Sequence, residues 1–186
     1  QKAALILEGG AKRGVFTSGV LDYLMEQEYY IPHVIGVSAG SCNAVDYVSR
    51  QPGRTKACMI RSGEDGKIIN FHNFFQTKSL LDMDLIFERD PKELHPFDFD
   101  TYFASDMTCE IVVTNCESGQ AEYYSEKEDG DRLMQLCRAS SSMPLVTPMV
   151  EIDGVPYLDG GIADSIPLIH SCLLYTSPSP RDISGS

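Results

Sequence analysis

The sequence predicts an α/β fold: a mostly parallel sheet flanked by helices and incomplete at its C-terminus. Three observations predict it. Ala3–Leu7 is a short, continuous apolar run, and His33–Val37 is another. Between them, Val15–Glu28 shows the helical recurrence of Val20, Leu21, Leu24 and Met25, with Asp22, Glu26 and Gln27 on the wetter side. Apolar runs without alternation mark strands buried on both faces, the kind found in parallel sheets. A strand, a helix and a strand in succession make one βαβ unit, whose right-handed crossover sets the two strands parallel.

The remaining elements follow in order. Ala39–Ser49 reads as a helix with Ala39, Cys42, Val45 and Val48 available to pack, ended by Pro52-Gly53. From Arg54 to Pro96 the pattern is mixed, with Leu80–Phe87 either a short helix or a loop-packed segment. This region is expected to give part of a lid or substrate rim. Phe71, Phe74, Phe75, Leu80, Leu81 and Met83 there either line an acyl channel or fill the core. Glu110–Asn115 is a third buried strand, and Glu122–Ser125 alternates weakly, as an edge strand does. Arg132–Ala139 is a helix with Leu133, Leu136 and Cys137 inward. Val150–Val155 and Tyr157-Leu158 flank the turn Asp153-Gly154, a hairpin signal. The stretch Ser171–Ser186, SCLLYTSPSPRDISGS, is too rich in Ser, Pro and Gly for a packed element. Its letters CLLYTSPSPRD resemble a translated sequencing adapter. The expected organisation is therefore one domain over residues 1–170 and a non-native or disordered tail over 171–186.

Composition narrows the function. The chain has 186 residues, 42% of them hydrophobic, enough for one substantial core. Its formal net charge is -12, and no cluster of Lys and Arg offers a nucleic-acid groove. The acidic stretches, such as Glu122–Asp131, read as solvated faces. Six cysteines at irregular spacing, with no CxxC pair and no signal-peptide pattern, favour free thiols in a cytoplasmic, reducing compartment. Histidines do not join them at zinc spacing, so no metal and no cofactor is expected. No apolar run approaches the ~20 residues of a membrane span, so contact with a membrane would be peripheral.

Gly36-Val37-Ser38-Ala39-Gly40 is a G-x-S-x-G elbow where a strand hands over to a helix. Gly36 and Gly40 free the tight turn of side chains, leaving the hydroxyl at the sheet's C-terminal edge. The competing reading is a serine that merely caps the helix. Gly9-Gly10-Ala11-Lys12-Arg13-Gly14 ends the neighbouring strand. Parallel neighbours lie ~4.8 Å apart, so this loop can sit beside Ser38. Its peptide N–H groups can converge on an oxyanion. Arg13 either positions the loop or forms a surface salt bridge. A P-loop would need Lys and then Ser or Thr after the last glycine, but Val15-Phe16 follow Gly14. Ser38 needs a base. His33 lies at the wrong end of its strand, His72 and His95 fall in the mixed region, and His170 borders the tail. Asp159, in Asp159-Gly160-Gly161 after a short strand, is the better candidate, against the alternative of a plain Asx turn.

Together these segments resemble the patatin-like phospholipase family, particularly its bacterial branch. The matching pieces are EGGAKRG at Glu8–Gly14, GVSAG at Gly36–Gly40 and DGG at Asp159–Gly161. RASSSMPLVTP at Arg138–Pro148 also looks like the family's segment before its aspartate, and the likeness spans Ala3 to Leu168. The resemblance implies a Ser-Asp dyad without histidine, acting on acyl esters of lipids and needing no metal. Ser38 would be the nucleophile and Asp159 the general base, with the amides of Gly9, Gly10 and Ala11 forming the oxyanion hole. Arg13, Gly14, Gly36, Gly40, Gly160 and Gly161 would support them. The family commonly carries glycine where Ala11 stands, and its domain normally continues beyond the aspartate segment. A catalytically silent lipid-binding or scaffold protein on the same fold is the alternative.

Overall fold

A computed structural model describes residues 3–60 and 81–175. The six strands are β1 (Ala4–Leu7), β2 (His33–Val37), β3 (Thr108–Asn115), β4 (Ala121–Tyr124), β5 (Val150–Ile152) and β6 (Val155–Asp159). The helices are α1 (Gly14–Glu26), α2 (Ala39–Val48), α3 (Arg54–Met59), α4 (Leu85–Leu94), α5 (Phe99–Ala104), α6 (Gly130–Ser140) and α7 (Leu168–Tyr175). The predicted βαβ unit is present: β1 pairs parallel to β2, with Ile6 opposite Ile35. β2 in turn pairs parallel to β3, with Val37 opposite Val112.

The sheet is α/β but mixed, which corrects the expectation of a mostly parallel one. β3 pairs antiparallel with β4 and with β6, and β5 pairs antiparallel with β6. For β3 with β4 and for β5 with β6, the reason is the length of the links. β3 and β4, like β5 and β6, are joined by tight turns, and a short link can only return the chain antiparallel. Asp153 and Gly154 both take positive φ, 53° and 81°, as a two-residue hairpin turn of the primed type requires.

Register then fixes where the chain segments meet. A strand has two edges, and β3 has three partners. β4 covers Ile111 and Val112, which also face β2, and Val113 and Thr114, which also face β6. β4 therefore occupies one edge of β3, while β2 and β6 share the other, end to end. Val112 faces Val37 of β2, and the next residue, Val113, faces Asp159 of β6. The end of β6 thus arrives where β2 gives way to Ser38.

Side chains alternate across this sheet. One face of β2 and β3 sends Val34, Cys109, Ile111 and Val113 into the main core with Tyr47, Tyr102, Leu133 and Leu136, all buried. The other face carries Ile35, Val37 and Val112. His33 and Glu110 lie on this second face and pair at 2.7 Å, and His170 of α7 reaches the same carboxylate at 3.2 Å. His170 also stacks on Tyr123 of β4, with ring centroids 3.5 Å apart.

Two further elements differ from expectation. The segment expected near Leu80–Phe87 continues as the wide helix α4 through Pro91, with His95 N–H donating to the carbonyl of Asp90 five residues back. Pro91 has no N–H to give, and this looser winding fits around it. The stretch from Ser171 is helical as far as Tyr175, and Ser171 is buried. The apolar run Cys172-Leu173-Leu174 continues the helix that starts before it. The rest of the expected tail lies outside the described residues. None of the six cysteines, all among the described residues, is joined in a disulfide. Among the described residues, no helix is long and apolar enough to cross a membrane.

Candidate active site

Ser38 stands between β2 and α2 at φ 56° and ψ -126°, a conformation non-glycine residues rarely adopt. Its side chain makes no capping hydrogen bond to α2, so the serine is not an ordinary helix cap. The turn is held by close backbone contact. A β-carbon on Gly40 would lie 2.1 Å from the carbonyl oxygen of Leu7, so only glycine lets α2 start this near β1. The Ser38 N–H donates to Ser140 Oγ at 2.8 Å, and the Ser140 hydroxyl donates to the Val112 carbonyl at 2.6 Å. Ser140 is fully buried. Its removal would take one hydrogen bond from each partner. Ser140→Ala is therefore expected to cost about 1–3 kcal/mol of stability, read by denaturant unfolding. An unchanged unfolding midpoint would show that the brace is dispensable.

The glycine-rich loop lies directly against this elbow. A β-carbon on Gly9 would meet Ser38 Cβ at 2.8 Å. Gly10 takes φ 144° and Ala11 takes φ 47°. Ala11 thus occupies the left-handed region that glycine, the residue expected there from the family resemblance, enters freely; for alanine it costs about 1–2 kcal/mol. The Arg13 side chain lies over Gly10, its Nε 3.1 Å from where a β-carbon would stand. Asn43 of α2 donates to the carbonyls of Gly14 and Ala39 at 3.2 and 3.1 Å, tying the loop's end to the elbow. Among the described residues, no protein acceptor takes the N–H groups of Gly9, Gly10 and Ala11.

Asp159 closes β6 and is buried. Its N–H donates to the Ser142 carbonyl at 2.8 Å, and its own carbonyl accepts from Thr114 Oγ1 at 2.8 Å. The carboxylate accepts from Gly161 N–H at 2.8 Å. Burial raises the carboxyl pKa above its ordinary 3.8, while the Ser38 hydroxyl and the Gly161 N–H act to lower it. Gly160 follows so close to β3 that a β-carbon would lie 2.2 Å from the Val112 carbonyl oxygen.

These pieces face a common cleft of about 440 Å³. Gly9, Gly10, Ala11, Ser38, Asp159 and Gly161 line it. Beside it, Ala11 and Ser38 also open onto a pocket of about 330 Å³, within the range of small-molecule sites. Its walls are apolar, with Val45, Met59, Leu81, Met83, Phe87 and Met134 among them. Leu81 and Met83 of the expected rim are thus at the pocket. Phe71, Phe74, Phe75 and Leu80 lie outside the described residues, as does His72. His33 and His170 pair with Glu110, and His95 pairs with Asp90, so these three serve other contacts.

Ser140, Ser142, Thr114 and Asn43 were not singled out from the sequence. Small polar residues in a row, as in Ser140-Ser141-Ser142, carry no periodicity that marks a brace. Only their place in the Arg138–Pro148 segment hinted at them. A family model for patatin-like phospholipases matches residues 5–170. An uncharacterized protein, YjjU of Escherichia coli (strain K12), is 29% identical over 172 residues. That match covers 90% of this chain and 47% of the relative, so the chain spans about half the length of the curated protein it matches.

Proposed function

Because the chain belongs to the patatin-like phospholipase family, we propose that it is a serine acyl hydrolase cleaving carboxylic esters of lipids. Ser38 is the nucleophile and Asp159 the general base in this reading. As Ser38 Oγ bonds to the acyl carbonyl carbon, Asp159 takes the hydroxyl proton. The N–H groups of Gly9, Gly10 and Ala11 receive the oxyanion, each such donor being worth ~3 kcal/mol in the transition state. Collapse breaks the ester C–O bond, and the alcohol leaves with the proton from Asp159. Water then gives its proton to Asp159 while attacking the acyl-enzyme, and the acyl–Oγ bond breaks as Asp159 returns that proton to Ser38, releasing the fatty acid. The dyad needs no metal for either step.

The observation that carries this reading is the end-to-end meeting of β2 and β6 on one edge of β3, with Val37 and Asp159 opposite consecutive residues. Burial helps the chemistry as well. A carboxylate whose proton affinity is raised is a better base than one in water. The apolar pocket opening from Ser38 suits an acyl chain. Leu145, 95% exposed and next to the cleft residues Met143 and Pro144, together with exposed Ile162, offers a lip for peripheral contact with a lipid surface.

Turnover of p-nitrophenyl esters of increasing chain length tests the proposal. Hydrolysis that improves as the acyl chain grows to fill the pocket is expected. Fatty-acid binding without any turnover would instead favour a silent lipid-binding protein on the same fold.

A further inference from the structure

Behind one wall of the apolar pocket lies a cluster that the proposed chemistry does not use. Cys58 of α3, Asp90 of α4 and His95 just after α4 place one ligand atom each within 4.8 Å of one another. Asp90 is fully buried, and Cys58 and His95 are half-buried. His95 Nδ1 stands 2.6 Å from Asp90 Oδ1. The Cys58 thiol faces the same carboxylate and lines the pocket.

We propose that Cys58, Asp90 and His95 bind a zinc-like divalent cation that ties α3 to α4. A thiolate, an imidazole and a carboxylate are the donor types such an ion takes. At bond lengths of 2.0–2.3 Å, tetrahedral ligands sit about 3.5 Å apart, so the three groups need only small shifts. Three protein ligands leave the fourth position to water.

Arg54 of α3 is tied to the end of α4 beside these groups. Arg54 Nη1 pairs with Asp46 at 2.8 Å, and Arg54 Nε donates to the His95 carbonyl at 3.0 Å. Burial holds the Cys58 thiol protonated, Asp46 and Asp90 add to this, and Arg54 opposes it. A metal would bind the thiolate, with loss of the thiol proton. No spacing rule finds this site, because its ligands come from two separate elements.

The test is a titration of the full chain with cobalt(II), followed by displacement with zinc. One equivalent should produce a thiolate-to-cobalt band that zinc abolishes. Zinc should also raise the melting temperature. Cys58→Ser should remove the band, and His95→Gln should weaken zinc binding on the order of 100-fold or more. Ser38→Ala and Cys172→Ser should change neither. No band in the native protein, or a band that persists in Cys58→Ser, would overturn the site. If Cys58→Ser does not fold, His95→Gln decides, and an unchanged zinc affinity in it overturns the site equally.

Discussion

Ser38→Ala is expected to lower ester turnover by about four orders of magnitude or more, with little change in melting temperature. The two outcomes separate because of how Ser38 is held. Its backbone is fixed by the Ser140 hydroxyl and by the packing of Gly36 and Gly40, none of which involves its own hydroxyl. The side chain caps nothing. Alanine bears the same positive-φ strain as serine and has the same β-carbon against Gly9, so the elbow has no reason to relax. What disappears is the hydroxyl proposed to attack the ester. Activity within about tenfold of wild type would remove Ser38 from the role of nucleophile.

Asp159→Asn should abolish turnover to a similar degree while leaving stability at neutral pH unchanged or higher. The sign follows from the raised pKa. The folded chain holds the carboxyl proton more tightly than the unfolded chain does, because burial penalises the charged form. The contribution of Asp159 to stability is therefore greatest below the ordinary value of 3.8 and falls as pH climbs through the raised folded value. Above that value the ionised carboxyl carries its full penalty, which asparagine does not. The amide oxygen can still accept from Gly161 N–H, so the turn survives. In the native protein the acid limb of kcat/KM should lie above the usual carboxylate range, since the free enzyme's base must be ionised. An acid limb at or below the ordinary value, or turnover retained in Asp159→Asn, would assign the proton to another group.

The first βαβ unit, the elbow and the DGG turn were legible because each has a local signature. Ala4–Leu7 and His33–Val37 are apolar runs of strand length, and the tight bends need glycine for steric reasons that show directly in the letters. The direction of β4, β5 and β6 was less legible. Their short links were visible, but the pairing of both β4 and β6 with β3 depends on long-range register. α4 escaped because Pro91 interrupts the helical pattern. α7 escaped because Ser171 begins a Ser- and Pro-rich stretch whose first residues nonetheless continue a helix. The Ser140 brace was invisible for a different reason. A buried hydroxyl that bonds two backbone groups looks, in sequence, like any serine at a helix end.

In the proposed reaction, the strained turn at Ser38 presents a hydroxyl activated by Asp159. Reaction with a fluorophosphonate probe, followed by peptide mass spectrometry, tests it most directly. One adduct on Ser38, lost in Asp159→Asn, is the predicted result. A folded protein that takes up no probe, or carries it on a residue other than Ser38, would contradict the account.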